Sequence, residues 1–179
     1  MRYRRAFVPG GSYFFTLVTE KRRKLFAEDA NVEVLRQAFQ HVMAKRPFEI
    51  DAAVVLPDHL HCIWTLPPGD ADFATRWRLV KTWFTKHCAL EYKMPPDASR
   101  LKRGEQAIWQ HRYWEHMLRG KSDFERHVDY IHYNPVKHGY TDKPSKWRYS
   151  SLHRYVDQGI ISDKWGDSGV DFVEGIGHE

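Results

Sequence analysis

Between Val54 and Pro67 the chain reads VVLPDHLHCIWTLP, an apolar run broken by Pro57-Asp58 and carrying two histidines one residue apart. On a strand, successive side chains point to opposite faces, so residues i and i+2 share a face. His59, His61, Ile63 and Thr65 therefore line one side, and Leu60, Cys62, Trp64 and Leu66 line the other. The second set is an ordinary core face that must be covered by other elements. The first sets two imidazoles side by side, and that placement restricts what the sheet can be for.

The rest of the chain supplies the cover. SYFFTLVT, Ser12–Thr19, follows a Gly-Gly turn and is rich in aromatic and β-branched residues, so it is a first strand. Val34, Leu35, Ala38, Phe39, Val42 and Met43 recur at helical spacing and predict a helix over Ala30–Lys45, stopped by Pro47. Phe48–Leu56 and His59–Leu66 form a hairpin about Pro57-Asp58. Phe73–Leu90 is a second helix, with Trp77, Val80 and Phe84 on one face and Arg76, Arg78 and Lys81 around it. Ile108–Leu118 alternates as a fourth strand. Ser122–Asn134 is a third helix, with an S-x-x-E box at Ser122 and Glu125 and a stop at Pro135 and Gly139. The order β-α-β-β-α-β-α is that of an α+β ferredoxin-like (RRM-like) sandwich: an antiparallel sheet with helices on one face, the other face open to a ligand.

Charge adds a partner. The chain of 179 residues carries a net +5, but residues 157–179 hold six acids against Lys164 alone, a local −5 that leaves +10 on residues 1–156. The division is a body over residues 1–156 and an acidic C-terminal tail over residues 157–179. We expect the tail to lie over the basic groove and weaken binding until displaced. Basic residues alternate with rings in RYRRAF, RWRLVKTWF, HRYWEH and KWRYSSLHRY, a mixture suited to phosphates and unstacked bases. The alternative is that the rings are core and the charges simply solvated. Two cysteines are too few for a disulfide framework, no apolar run is long enough to span a membrane, and the chain reads as cytoplasmic.

Imidazoles at i and i+2 can converge on one divalent ion, although each can equally serve a structural hydrogen bond. The third helix supplies what they lack. Phe124, Val128 and Ile131 form its packed stripe, and Asp123, His127, Tyr130 and Asn134 form an adjacent one. Asn134 can give an oxygen to the ion, with the Tyr130 phenol one turn away. A phenol beside a cation in a basic protein suits nucleophilic attack on a phosphodiester. An unperturbed phenol titrates near about 10, so His127, Lys137 or the ion must help it lose its proton.

These segments resemble the HUH single-tyrosine transposases, and within them the REP-associated tyrosine transposases of bacteria. The resembling stretches are RYRRAFVPGGSYFFT, RPFEIDAAVVLPDHLHCIWTLP, WQHRYWEHMLR and DFERHVDYIHYNPVKHGY. The resemblance implies that His59 and His61 bind metal, with Asn134 as third ligand, and that Tyr130 is the nucleophile. It implies a 5′-phosphotyrosine link that frees a 3′-hydroxyl, with Mg²⁺ or Mn²⁺ as cofactor. The implied substrate is single-stranded DNA bearing hairpins of the repetitive extragenic palindromes (REP), acted on by a monomer. Arg2, Arg4 and Arg5 are expected to read the bases beside the hairpin, with Arg76, Arg78, Lys81 and Lys137 as further DNA contacts. The second reading is a noncatalytic single-stranded nucleic-acid-binding module, which leaves the histidine pair unexplained. A zinc hydrolase is the third, and it has no H-E-x-x-H and no use for Tyr130.

Overall fold

A computed structural model describes residues 6–171 and Ile176. In chain order the elements are β1 (Ser12–Val18), α1 (Asp29–Lys45), β2 (Glu49–Val55), β3 (His59–Thr65), α2 (Phe73–His87), α3 (Ala98–Arg103), β4 (Trp114–Met117), α4 (Gly120–Lys137) and α5 (Leu152–Asp157). The strands form one antiparallel sheet in the order β2-β3-β1-β4. This is the expected α+β sandwich, with the histidine strand in the interior of the sheet.

The alternation read from β3 sorts the core into two layers. Tyr13, Phe15 and Leu17 of β1 join Leu60, Cys62, Trp64 and Leu66 of the β3 segment under α1 and α2. The Trp64 and Trp77 rings stack at 4.0 Å in the centre of that layer. Burying each such ring contributes roughly 2–3 kcal/mol. RWRLVKTWF is thereby split: Trp77 and Phe84 are core, while Arg78 faces outward.

The opposite face is not open. Val128, Tyr130 and Ile131 of α4 pack onto Phe14, Ala52, Val54 and Ile63, forming a second layer. His59 and His61 are consequently 1% and 0% exposed. The element order placed the sheet correctly, but the expectation of helices on one face with the other open does not hold, because α4 covers the second face. The apolar side chains of the sheet's other face, Phe14, Val54 and Ile63, decide it, because they too must leave water.

Two element ends differ from the sequence reading. The fourth strand is confined to Trp114–Met117, because Ile108 and Trp109 are buried from a loop that follows the end of β1. The third helix starts two residues earlier, at Gly120, and Ser122 does not cap it. It also runs through Pro135 to Lys137, ending where Gly139 takes a positive φ of 71°. Pro135 removes one backbone donor and crowds the Ile131 carbonyl, but so near the end only one further turn has to follow it, and the carbonyls of Asn134, Pro135 and Val136 accept bonds from His138, Tyr140 and Gly139. That extra turn carries Lys137 onto the site.

The described part of the acidic segment lies against the far end of α4. Trp165 packs near Tyr133, and Lys143 pairs with Asp167 at 2.6 Å.

Candidate active site

β3 and α4 face each other across the second core layer, and their polar residues meet there. The His59 and His61 rings lie 5.1 Å apart, as same-face neighbours on a strand should. The Tyr130 ring meets His61 edge-on at 5.3 Å, and the Phe14 ring stacks on His61 from β1. Tyr130 is 2% exposed. Its hydroxyl accepts a hydrogen bond from the Lys137 ammonium at 2.9 Å, and the same ammonium stands 4.7 Å from the ring centre.

Both imidazoles are held from behind. The His59 Nδ1–H donates to the Asp58 carboxylate at 2.6 Å. A carboxylate can only accept, so Nδ1 carries the proton of the neutral ring and Nε2 is the nitrogen by which it would ligate. Asp58 is in turn bound by Arg22 at 3.2 Å. Burial alone would raise the Asp58 carboxyl, but its bonds to His59 and Arg22 overcome that and hold it below the ordinary carboxylate range. Lys21 and Arg22 both sit at positive φ, 55° and 50°, a conformation costing L-residues roughly 1–2 kcal/mol each. The turn that delivers Arg22 to Asp58 is therefore a strained one. His61 Nδ1 lies 2.8 Å from the Thr16 hydroxyl, its register partner on β1. If Nδ1–H donates there, Nε2 is again the lone-pair nitrogen.

Asn134 is fully buried one turn beyond Tyr130. One turn further, the His138 ring lies 5.0 Å from that of His59. Asn134 thus stands between two rings that reach His61 and His59 respectively. Two imidazoles, each held at Nδ1 by a partner, and one amide are a donor set that fits a small divalent ion and leaves positions for oxygen ligands.

The remaining sequence candidates divide. His127 is buried, but its partners are Asp123 and His116 rather than the Tyr130 hydroxyl; at that hydroxyl stands Lys137. Ligand atoms of His116, Asp123 and His127 all lie within 4.8 Å of one another. Arg76 is a correction. It is 1% exposed, pairs with Asp70 at 2.6 Å and bonds the carbonyls of Arg46, Pro47 and Asp72, so it joins the start of α2 to the end of α1 and cannot reach a phosphate. Arg2, Arg4 and Arg5 lie outside the described residues.

Arg78 and Lys81 do share a groove, of about 1550 Å³, between α2 and the segment leading into β4. Arg22, Lys86 and Arg112 add charge to it, and Trp109 and Trp114 add rings. It reaches Thr16, the residue behind His61. Burial pushes the Lys81 ammonium down to about 8. The acidic segment's described contacts are with α4 and the loop after it, away from this groove.

Sequence reasoning missed Asp58, read as a turn residue, and Thr16, read only as part of the first strand. It also missed His138. Asp58 could have been found, since an acid directly before a candidate ligand histidine is a common orienting partner.

The family model described as Transposase IS200 like matches residues 8–134. The REP-associated tyrosine transposase of Escherichia coli (strain K12) is 43% identical over 173 residues, covering 97% of this chain and 95% of that protein. A solved structure of a REP-associated tyrosine transposase bound to a REP hairpin superposes with a TM-score of 0.80 at 40% identity, covering 100% of this chain and 99% of the other.

Proposed function

This chain belongs to the IS200-like transposases and, within them, to the REP-associated tyrosine transposases, and from that premise we propose that it cuts and rejoins single-stranded DNA at hairpin-forming REP palindromes through Tyr130. The observation that carries this reading is the meeting of a phenol, an ammonium and two oriented imidazoles at one buried point between β3 and α4.

In the proposed reaction the Tyr130 oxygen attacks the scissile phosphorus. A bond forms between that oxygen and phosphorus, the bond to the 3′ oxygen breaks, and the DNA is left as a 5′-phosphotyrosine and a free 3′-hydroxyl. The phenol loses its proton to solvent, and the departing 3′ oxygen takes one up. Lys137 is positioned to favour the phenolate, because its ammonium donates to the Tyr130 oxygen and its positive charge stabilises the anion left when the proton departs. Rejoining is the reverse attack by a 3′-hydroxyl. Burial of Tyr130 against Phe14 and His61 keeps the ring from swinging and water from competing.

His59, His61 and Asn134 would hold the divalent cation, Mg²⁺ or Mn²⁺. Such an ion supplies charge neutralisation at a non-bridging phosphate oxygen. Arg78, Lys81 and the rings of the groove would take the single strand, and Arg2, Arg4 and Arg5 the bases beside the hairpin. We read the protein as a cytoplasmic monomer, with residues 1–156 as its catalytic body and residues 157–179 as an acidic tail. Among the described residues no helix is long and apolar enough to cross a membrane.

The deciding experiment incubates the protein with a hairpin-bearing single-stranded oligonucleotide and Mn²⁺, then looks for a covalent adduct on denaturing gels. An adduct is expected from the natural protein and none from Tyr130→Phe, with binding retained. An adduct that persists in Tyr130→Phe makes another tyrosine the nucleophile. Binding without any adduct, with either metal, makes the chain a binding module.

A further inference from the structure

We propose that His116, Asp123 and His127 form a second cation site, which takes a transition-metal ion of the zinc type and ties β4 to the first turns of α4. The cluster spans β4, which gives His116, and the first turns of α4, which give Asp123 and His127. His116 Nε2 lies 3.0 Å from Asp123 Oδ2, while His127 Nδ1 lies 3.2 Å from Asp123 Oδ1 and 2.8 Å from the Asp123 backbone carbonyl, to which it donates. The two carboxylate oxygens are therefore each turned to a different imidazole. The rings themselves are nearly parallel, 4.9 Å apart at 14°.

Zinc–ligand bonds of about 2.0–2.2 Å put neighbouring donor atoms of a tetrahedron about 3.3–3.5 Å apart. The N···O separations here fall short of that by a few tenths of an ångström, which side-chain rotation supplies. Two imidazoles and one carboxylate favour zinc, nickel or copper over magnesium. A fourth position faces solvent, because the His116 side chain is 36% exposed while Asp123 and His127 are 15% and 7% exposed.

The charge state suits a cation as well. Burial holds the His127 imidazole below its ordinary value, so it is neutral and able to ligate. Burial would raise the Asp123 carboxyl, yet bonds from the Arg119 backbone N–H and His116 keep it ionised. Arg126 stands 4.0 Å from the carboxylate at the edge of the cluster. On binding, the His127 proton moves from Nδ1 to Nε2 and its bond to the Asp123 carbonyl is given up, each ring then carrying its proton on the nitrogen away from the ion, so that neutral rings release none to solvent.

The site is separate from the histidine pair of β3. The Phe14 ring lies 4.8 Å from His127 and 5.4 Å from His61, with a ring contact to each. Its effect on chemistry is indirect: α4 also carries Tyr130, so an ion at its first turns would fix the helix on the sheet.

The test uses the full chain, stripped with EDTA and titrated with ZnCl₂ or CoCl₂. Natural protein should bind one equivalent more than His116→Ala, a partly exposed position where loss of the ring spares the core. The Co²⁺ complex should show visible ligand-field absorption that survives in His61→Ala and is lost in His116→Ala. Zn²⁺ should raise the melting temperature of natural protein, and of His61→Ala, but less or not at all in His116→Ala. Equal stoichiometry in natural protein and a folded His116→Ala overturns the proposal, and that comparison decides alone if His61→Ala does not fold. The adduct assay reads Tyr130 separately, so failure here leaves the proposed reaction untouched.

Discussion

The Lys137 ammonium donates to the Tyr130 hydroxyl at 2.9 Å, from a position seven residues along the same helix. That contact exists because α4 continues through Pro135 for one more turn. It places a fixed positive charge on a phenol whose free form titrates near about 10.

Replacing Lys137 with Met, which keeps the stem and drops the charge, should slow adduct formation by about 100-fold at neutral pH. Affinity for the hairpin oligonucleotide should change far less. The pH–rate profile should move to higher pH, and Lys137→Arg should recover part of the rate. A loss of rate and binding in equal measure would make Lys137 a phosphate contact only.

Asp58 orients His59 and holds its tautomer. Asp58→Asn should weaken Mn²⁺ activation by roughly 10–100-fold, as loss of an orienting partner does at other imidazole ligands. Activity measured against Mn²⁺ concentration checks it: the curve should shift to higher metal with its plateau largely kept.

Lys81 tests the groove through pH. With its ammonium at about 8, it is charged below that value and neutral above it. Oligonucleotide affinity should therefore fall as pH rises through about 8, and binding there should be coupled to proton uptake, since phosphate favours the charged form. In Lys81→Arg, which stays charged, the fall should be absent or much shallower. Equal pH dependence in both proteins would remove Lys81 from the DNA path.

His132 governs acid stability. Burial beside the Ser151 hydroxyl pushes its imidazole down to about 3. A histidine depressed in the folded state takes up its proton on unfolding, so its contribution is full above about 6.5 and is lost as pH falls toward 3. Between pH 7 and pH 4.5 this group should cost on the order of 2–3 kcal/mol. Urea unfolding at both pH values should show that difference in natural protein, and a smaller one in His132→Gln.

Arg76→Ala should act on folding rather than on DNA. Removing the buried guanidinium leaves Asp70 and three backbone carbonyls without their donor, a loss on the order of 2–4 kcal/mol. Melting temperature should drop sharply, while the folded fraction binds oligonucleotide as before.

Much of this protein was legible in its residues taken in order. The alternation in HLHCIWT already separates the histidine face from the core face, and that pattern survives folding because a pleated strand leaves a side chain no other direction. The helical stripe of Asp123, His127, Tyr130 and Asn134 was legible for the same local reason. Tertiary structure decided the rest. Only packing could put α4 on the histidine face, turn Arg76 inward to Asp70, and give His127 to His116 instead of Tyr130. Such outcomes depend on which distant surfaces must leave water together and which buried charges must find partners. Spacing along a chain carries no record of either.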